Sequence, residues 1–541
     1  MPRHSPEEDR EPGRAGQRVR RLLAGAAPVH AVHRAPRRPA ARGAGGRDAG
    51  RGDRRRPRDH VGHLGQGPAH RRDRRRPRRA VPGGRPALVH AGGAGRRPHL
   101  AGRDRRRRAP VRGPLQTAPR QPRPGGHRDP GDPRPGQRVI TVVGVGADGW
   151  DGLPPTSRRA LEAAEVVMGG PRQLELLPES AGAERVRWPS PLLPALPALL
   201  ARHAGREVCV LASGDPMFYG IGSTLVRLLG AADVRVLPHV SSLSLACARL
   251  GWPVEQVETV SLVGRPPETL NAAALPGRRL VVLGAGREAP SQVAALLTAR
   301  GYGPSPMTAL SDLGAATETA RQGTAETWAG PAASSLNVIA VECVASRETE
   351  PLGLVPGLPD TAYEHDGQLT KREVRAVTLS RLAPRPGELL WDVGAGAGSI
   401  AVEWMRSHPA CAAVAVESRP DRAAAIRRNA DRLGVPSLRV VEGKAPAALD
   451  GLPEPGAVFV GGGVTAPGLL DHCWSRLRPG GRLVVNAVTL ESEALVGQWY
   501  GRLGGDLVRL AVQRASPVGG FTGWRPAMPV TVWSLTRKDD T

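Results

Sequence analysis

From Val139 to the C-terminus, short runs of apolar residues alternate with segments whose apolar positions recur with helical periodicity. In the first half of this region, the apolar runs predict strands at 138–149, 207–216, 232–239, 278–286 and 335–343. The intervening segments predict helices at 157–167, 220–230, 241–250 and 289–300. Strands that alternate with helices in this way indicate an α/β domain with mostly parallel sheets.

A second α/β unit follows the Pro/Gly-rich stretch EPLGLVPGLPD. Thr370 and Glu373 have the spacing of a capping box, which predicts a helix that runs to Leu382. Apolar runs predict further strands at 388–393, 412–417, 437–442, 456–460 and 482–488. Helices are predicted at 398–407, 420–433, 466–477 and 490–502, and a closing antiparallel pair of strands at 506–513 and 529–535.

The chain therefore divides into four predicted parts. An extension at 1–138 precedes a first α/β domain at 139–346, a linker at 347–361 and a second α/β domain at 362–541. The two domains have different glycine-rich signatures. We therefore interpret the chain as a fusion of two unlike domains and not as a duplication.

The extension carries the whole excess of positive charge. Residues 1–138 contain 37 arginines, no lysine and 11 acidic residues, whereas the remainder contains 39 basic and 39 acidic residues. Large apolar side chains are so few that we expect this part to be disordered. An Arg-rich RNA-binding arm would be expected to carry aromatic residues for stacking, and a targeting segment a longer apolar run. The favoured interpretation is therefore an extraneous, non-functional extension.

The cysteines and the lengths of the apolar runs indicate which classes of protein the chain does not belong to. Five widely spaced cysteines form no C-x-x-C pair and no metal-binding pattern with histidine, so we expect them to be small core residues in a reducing compartment. No apolar stretch approaches the roughly 20 residues that cross a bilayer. The sequence therefore predicts a cytoplasmic protein that binds no metal, no nucleic acid and no membrane.

The strongest chemical signature is WDVGAGAG, where an apolar run ends at Asp392 and is followed by Gly394, Gly396 and Gly398. A predicted helix comes next, and Glu417 ends the following apolar run. Glycines at a strand-to-helix turn let the backbone contact a ligand, and the later acid can accept hydrogen bonds from ribose hydroxyls. The third glycine comes one residue earlier than in a dinucleotide fingerprint. This variant resembles the nucleoside pocket of class I S-adenosylmethionine (SAM) methyltransferases.

Three loops at predicted strand ends carry the corresponding signal in the first domain. They read VVGVGADGWDGL at 142–153, LASGDPMFYGIGSTLV at 211–226 and PHVSSLSLACARLGWP at 238–253. Loops at the carboxyl ends of strands are where α/β sheets bind ligands. A single G-D-P tripeptide is more often an ordinary turn, but these three loops in this order resemble the tetrapyrrole methylase (class III methyltransferase) family.

The fusion of such a domain to a class I domain resembles the decarboxylating precorrin methyltransferases of cobalamin biosynthesis. The resemblance runs from about Val139 to Lys538. It includes ARLGWPVEQVETVSLVGRP at 248–266, YEHDGQLTKREVRAVTLSRLAPRPGELLWDVGAGAGSIAVEWMR at 363–406 and RPGGRLVVNAVTLESE at 478–493. It implies a tetrapyrrole methylase domain followed by a Rossmann-like class I SAM methyltransferase domain.

The resemblance also implies which residues bind SAM in each domain. In the first domain these are Gly214, Asp215, Pro216, Ser241 and Ser242. In the second domain they are Thr370, Gly394, Ala395, Gly396, Ala397, Gly398, Glu417 and Ala445. A helix N-cap is an alternative or additional role for Thr370.

A second set of residues is assigned to the tetrapyrrole substrate. It consists of Asp148, Arg372, Arg375, Lys444, Gly461, Gly462 and Gly463. Solvated surface charge is the alternative role for the three cations, and a flexible turn for the three glycines. No catalytic residue is assigned, because methyl transfer from a sulfonium mainly requires alignment of the nucleophile with the methyl group.

The resemblance implies an activity with two methylations, of C5 and C15 of precorrin-6Y, and loss of the C12 acetate carboxyl as CO2, carried out by a homo-oligomer. Two alternatives stay open. The second domain could be a generic small-molecule or RNA methyltransferase, or the chain could be an RNA-binding protein on an inactive methyltransferase scaffold. The balanced charge beyond residue 138 argues against the RNA-binding protein.

Mass measurement of the natively expressed protein tests the interpretation of the extension. We expect an N-terminus near Val139, where the first predicted strand opens. A native polypeptide that begins at Met1 would contradict this expectation.

Overall fold

The computed structural model describes residues 139–538, so the predictions for residues 1–138 lie outside the described residues. Two sheets precede the predicted linker at 347–361, and a seven-stranded sheet and a two-stranded sheet follow it. Among the described residues, no helix has both the length and the apolar character that a membrane span requires.

The first sheet has five parallel strands in the order β3-β2-β4-β1-β5. The strands are β1 (Ile140–Val145), β2 (Val166–Gly169), β3 (Glu184–Arg187), β4 (Val208–Ser213) and β5 (Val234–Leu237). The helices are α1 (Pro155–Glu162), α2 (Pro171–Glu175), α3 (Leu192–Arg202) and α4 (Ile221–Leu229). Successive β1 residues Val142 and Val143 belong to separate apolar clusters, which is the pattern of a strand buried on both faces.

The second sheet completes the first domain in the order β6-β7-β10-β8-β9. Its strands are β6 (Val257–Ser261), β7 (Arg279–Leu283), β8 (Pro306–Ser311), β9 (Thr319–Thr324) and β10 (Asn337–Glu342). Its helices are α5 (Ser242–Leu250), α6 (Leu270–Ala273) and α7 (Ala289–Ala299). The β6–β7 pair is parallel, but β10 pairs antiparallel with β7 and β8, and β9 pairs antiparallel with β8. The prediction of mostly parallel sheets is therefore wrong for this sheet.

The third sheet belongs to the second domain and has the order β13-β12-β11-β14-β15-β19-β16. Its strands are β11 (Leu389–Val393), β12 (Ala412–Glu417), β13 (Arg439–Glu442), β14 (Ala457–Val460), β15 (Arg482–Ala487), β16 (Asp506–Leu510) and β19 (Val530–Thr536). The first five strands are parallel and have the Rossmann-like order. The antiparallel β16–β19 pair confirms the predicted closing strands.

Five helices and one hairpin complete the second domain. The helices are α8 (Arg372–Leu382), α9 (Ser399–Ser407), α10 (Pro420–Arg432), α11 (Leu469–Arg476) and α12 (Leu490–Leu503). The hairpin of β17 (Gln513–Val518) and β18 (Phe521–Pro526) forms a sheet of its own and was not predicted.

Several boundaries differ from the sequence predictions. Helix α1 ends at Glu162 and not at residue 167, because the apolar run that begins at Val166 forms β2 and pairs with β4. The elements α2, β3, α3, β6, α6, β8 and β9 were also not predicted. The five cysteines are free and buried, as expected for small core residues.

The start of α8 corrects the predicted capping box. The helix begins at Arg372, and the N-cap residue is Lys371, which makes no side-chain capping bond. Thr370 lies one residue further out, and its carbonyl oxygen accepts a hydrogen bond from the Arg375 guanidinium. The predicted Thr370–Glu373 capping box is therefore wrong, and so is the N-cap role of Thr370.

A buried ion pair joins the predicted linker to the second domain. Arg375 is fully buried, and its Nε atom lies 2.6 Å from Glu403 Oε1. The Glu403 carboxylate also accepts hydrogen bonds from the backbone N–H groups of Gly357 and Leu358 and from the Tyr363 hydroxyl. The predicted role of Arg375 in binding substrate is wrong, because its guanidinium is held inside this network.

The Glu403→Gln substitution tests the network. Removing one partner of a buried ion pair leaves the other charge uncompensated, so we expect the free energy of unfolding to fall by about 3 kcal/mol or more. Urea unfolding of the second domain, followed by tryptophan fluorescence, measures the change. The exposed pair between Arg428 and Glu364 provides the control, since water screens this pair and Glu364→Gln should change the free energy of unfolding far less than Glu403→Gln does. Equal effects of the two substitutions would contradict the assignment.

Candidate functional sites

The three loops predicted to bind ligand in the first domain meet at one edge of the first sheet. They follow β4, β1 and β5, which are neighbours in that order. A Cβ atom on Gly144 would lie 2.1 Å from the Gly214 carbonyl oxygen and 2.7 Å from the His239 backbone nitrogen. Gly214 has a φ of +58°, and a Cβ there would lie 3.3 Å from Ser241 Cα. The loops therefore contact one another through bare backbone.

Several of the predicted cofactor residues also hold these loops in shape. Asp215 Oδ1 accepts a hydrogen bond of 2.8 Å from the Met217 backbone N–H. The carbonyl oxygen of Pro216 accepts one from the Gly222 backbone N–H. Ser241 is the N-cap of α5, and its Oγ atom accepts a hydrogen bond from the Ser244 N–H. Their predicted contacts with SAM stay predictions.

Asp148 is paired with a residue that was not assigned a role from the sequence. Its Oδ1 atom lies 3.4 Å from His239 Nε2. Gly146 leaves room for both groups, since a Cβ there would lie 2.2 Å from Asp148 Oδ1 and 2.7 Å from His239 Nε2. The available signal for His239 was its place in the loop at 238–253, one of the three loops at predicted strand ends.

In the second domain, a cavity of about 720 Å³ opens at the carboxyl ends of the parallel strands. It brings together ten of the predicted site residues: Thr370, Gly394, Ala395, Gly396, Glu417, Lys444, Ala445, Gly461, Gly462 and Gly463. Thr370 precedes α8, and the other nine residues lie at or just after the ends of β11, β12, β13 and β14. Their convergence follows from the parallel order of the sheet, which puts the ends of β11 to β14 at one edge.

Two glycine runs form the floor of this cavity. A Cβ atom on Gly394 would lie 2.7 Å from the Gly462 carbonyl oxygen and 2.9 Å from its Cα atom. Gly396 has a φ of +58°, a backbone conformation that residues with a Cβ rarely adopt. Both runs therefore present main chain, without side chains, to whatever occupies the cavity.

Glu417 is the carboxylate at the edge of this floor. It is buried, and its two oxygens accept hydrogen bonds from the backbone N–H groups of Gly396, at 2.9 Å, and Arg419, at 3.0 Å. A carboxylate has about four acceptor positions, so two remain for a ligand. This geometry fits the ribose-binding role predicted for Glu417.

Three other predicted residues do not line the cavity. Ala397 is buried, and its carbonyl oxygen accepts a hydrogen bond from the Asn429 side chain. Gly398 lets α9 begin against α10, because a Cβ there would lie 2.7 Å from the Ile426 side chain. Arg372 is exposed at the start of α8 and lies outside the cavity wall.

The cavity also contains polar residues that were not assigned from the sequence. They are Gln368, Lys371, Glu373, Ser418, Arg422, Asn486 and Arg514. Gln368 and Lys371 flank Thr370 in a phrase that carried the family resemblance, whereas Arg514 lies on the unpredicted β17. Arg514 Nη2 lies 2.5 Å from Glu373 Oε2, and this hydrogen bond lowers the pKa of the Glu373 carboxyl.

Asp392 lies in β11 just before the glycine loop at 394–398 and is hydrogen-bonded to the helix that follows the loop. Its Oδ2 atom accepts a hydrogen bond of 3.0 Å from the Ala401 N–H in the first turn of α9. Its Oδ1 atom is buried and has no hydrogen-bond partner among the described residues. Burial raises the pKa of the Asp392 carboxyl from its ordinary 3.8 to about 7.

Comparison with known proteins identifies both domains. Residues 139–329 match the family described as Tetrapyrrole (Corrin/Porphyrin) Methylases, and residues 361–537 match the one described as Precorrin methyltransferase domain. The chain is 47% identical over 398 residues to a precorrin-6Y C(5,15)-methyltransferase [decarboxylating] of Sinorhizobium sp. That match covers 74% of this chain and 96% of the relative.

Two further matches are to a second relative and to a solved structure. A protein of the same description from Mycobacterium tuberculosis is 49% identical over 403 residues, which are 74% of this chain and 100% of the relative. A crystal structure of the C-terminal domain of precorrin-6Y C5,15-methyltransferase from Rhodobacter capsulatus is 49% identical, with a TM-score of 0.33. The match covers 100% of that crystallised domain and 34% of this chain.

The raised pKa of Asp392 predicts a pH-dependent effect of the Asp392→Asn substitution. The folded wild type binds the Asp392 proton more tightly than the unfolded chain does, so its stability falls as pH rises from about 4 to about 7. The Asp392→Asn variant has no ionisable group at this position, so its stability does not fall with pH for this reason. We therefore expect the free energy of unfolding of the variant, relative to wild type, to rise between pH 5 and pH 8 by on the order of 2 to 4 kcal/mol.

Urea titrations at both pH values, followed by the fluorescence of the buried Trp391 and Trp404, measure this change. Asp450→Asn, which alters an exposed carboxylate in the same domain, is the control. A relative stability of Asp392→Asn that is the same at both pH values would show that the carboxyl is ionised in the folded protein.

Proposed function

The chain belongs to the precorrin-6Y C5,15-methyltransferases (decarboxylating), and we propose that its two domains divide the reaction between them. The first domain, at 139–346, methylates C5 of the macrocycle. The second domain, at 362–541, methylates C15 and releases the carboxyl group of the C12 acetate as CO2. Both methyl groups come from SAM, which each domain binds in a cleft of its own.

The cavity of the second domain is the observation that carries this proposal. Its floor is the bare backbone at Gly394 and Gly462, and its edge carries the Glu417 carboxylate with free acceptor positions. This combination fits a nucleoside without phosphates, because nothing in the floor is a phosphate cradle of the G-x-G-x-x-G type. When bound there, SAM would supply a methyl group that its positive sulfur makes electrophilic.

The chain's own residues then act by position and charge. The glycine backbone and Glu417 fix the nucleoside end, so that the opposite end faces the part of the cavity near Gly461 and Asn486. The cations Lys444 and Arg514 line the same cavity and can bind the carboxylate side chains of a tetrapyrrole. Holding the macrocycle against the methyl group supplies most of what a direct displacement requires.

Decarboxylation needs an acceptor for the electron pair of the broken bond. The conjugated macrocycle can take this pair, so no metal is required for the step. The buried side chains of Val374 and Leu469 line the cavity beside its polar residues. These apolar walls limit the water around a carboxylate that is held there.

In the first domain, the proposal rests on the meeting of three loops. The backbone at Gly144, Gly214 and Ser241 comes together in one surface at the end of the first sheet. We assign SAM to this surface and the macrocycle to the side on which Asp148 and His239 lie.

Two glycine substitutions separate the proposed half-reactions. In Gly396→Arg, a long side chain enters the second cavity, so we expect one methyl group to be added at C5 while the acetate carboxyl is kept. In Gly144→Val, the new side chain meets the Gly214 carbonyl, so we expect C15 methylation and CO2 loss without C5 methylation. Mass spectrometry and NMR of the products, after incubation with the reduced precorrin and SAM, distinguish the two.

Wild-type protein, which should add two methyl groups and release one carboxyl group, is the reference in this experiment. Thermal unfolding of each variant checks that the untouched domain stays folded. The division of labour would be wrong if Gly396→Arg removed the carboxyl group at the wild-type rate.

A further inference from the structure

Lysine is almost absent from this chain. Of its 76 basic residues, 73 are arginine and three are lysine, namely Lys371, Lys444 and Lys538. Two of the three, Lys371 and Lys444, line the cavity of the second domain, whereas Lys538 is exposed outside it. Where arginine fills nearly every basic position, two ammonium groups in one cavity point to chemistry that a guanidinium group cannot perform.

Proton transfer is that chemistry. A guanidinium group stays protonated in proteins, whereas an ammonium group can release a proton and recover it. Both groups can hold a carboxylate, so charge alone does not distinguish them at these positions.

The decarboxylation in the proposed function, on which this inference rests, requires one proton. The bond between the acetate methylene carbon and the carboxyl carbon breaks, CO2 leaves, and the macrocycle takes the electron pair. The methylene carbon must then bind a proton to become a methyl group. The cavity therefore needs a proton donor at the acetate position.

The other ionisable groups of the cavity wall are poor donors. The pKa of the Glu373 carboxyl is lowered by its hydrogen bond from Arg514, so this group is ionised. The Glu417 carboxylate accepts hydrogen bonds from two backbone N–H groups and is assigned to the nucleoside end, away from the acetate. The arginines keep their protons. Among the ionisable residues that line the cavity, the two lysines remain.

The topology distinguishes one lysine from the other. Lys444 follows β13, which pairs with β12. Strand β12 ends at Glu417, the carboxylate assigned to the nucleoside end of SAM. Lys371 directly precedes α8, which packs against β14 and β15 on the other side of β11. The Gly461–Gly463 run and Asn486 lie at the ends of those strands, where the macrocycle is assigned. The start of α8 is therefore on the side of β11 where the macrocycle is assigned, and Lys371 is assigned to the substrate end with it.

We propose that the Lys371 ammonium group donates the proton that replaces the lost carboxyl group. The acetate methylene carbon takes the proton, the product carries a methyl group, and Lys371 is left as a neutral amine. Because Lys371 is exposed at the cavity mouth, water restores its proton before the next turnover.

The Lys371→Arg substitution in the full chain tests this proposal, because it keeps the positive charge and removes the proton donor. After incubation with reduced precorrin and SAM, quenched samples are analysed by mass spectrometry for C15 methylation and for the decarboxylated product separately. We expect the rate at which the decarboxylated product forms to fall by at least about 100-fold. The rate of C15 methylation and the KM for the macrocycle should change only a few-fold. Lys538→Arg, at the third lysine, is the matched control and should resemble wild type.

A rescue experiment separates proton donation from a structural role. In Lys371→Ala, added ethylammonium should restore the decarboxylated product, and added guanidinium should not. Decarboxylation at the wild-type rate in Lys371→Arg would overturn the proposal, as would a larger loss in Lys444→Arg or equal rescue by both cations. A wild-type chain that methylates C15 and keeps the carboxyl group would contradict the proposed function itself.

Discussion

Both sites depend on one constraint, the close approach of neighbouring strand ends. Adjacent strands of a sheet lie roughly 4.8 Å apart, so loops that leave them on the same side have little room for side chains. Gly144 against Gly214 and Gly394 against Gly462 solve this in the same way, although the two domains have different folds. The absence of Cβ atoms brings the backbones together and leaves an uncovered main-chain surface. This surface positions the Glu417 carboxylate, through the Gly396 N–H, at the edge of the second cavity.

The part of the cavity wall just before α8, around Thr370, is held in place by a buried ion pair and not by a helix cap. Arg375 lies inside the domain and binds Glu403, while its guanidinium also donates to the Thr370 carbonyl oxygen. The position of Thr370 is thereby tied to the ion pair that holds the predicted linker. Arg514, which pairs with Glu373 and lies 3.8 Å from the Asp360 carboxylate, connects the hairpin to the same region. The residues ahead of α8 are thus held from the interior and from the hairpin together.

The sequence predicted the parts of the fold that leave a local signal. Glycine spacing and continuous apolar runs predicted three strands of the first sheet, the five parallel strands of the second domain and most of the second cavity. Strand β9 was missed because TARQGT contains no large apolar residue, and the hairpin was missed because most of its side chains are exposed. Arg375 was assigned to the substrate because an arginine near a ligand loop resembles a binding residue. Its burial depends on Glu403, which lies 28 residues away and carries no local mark of that contact.

Charge placement, and not total charge, makes the second cavity suitable for an anionic ligand. From residue 139 onward the basic and acidic residues are equal in number, so no overall attraction exists. Within the cavity wall, Arg422 is paired with Asp366 and Arg514 with Glu373, which leaves their net contribution small. Lys371 and Lys444 make no ion pair with any residue in 139–538. These two ammonium groups are therefore the cations of the cavity wall whose charge no acidic residue in 139–538 offsets, which suits the wall to a ligand that carries several carboxylates.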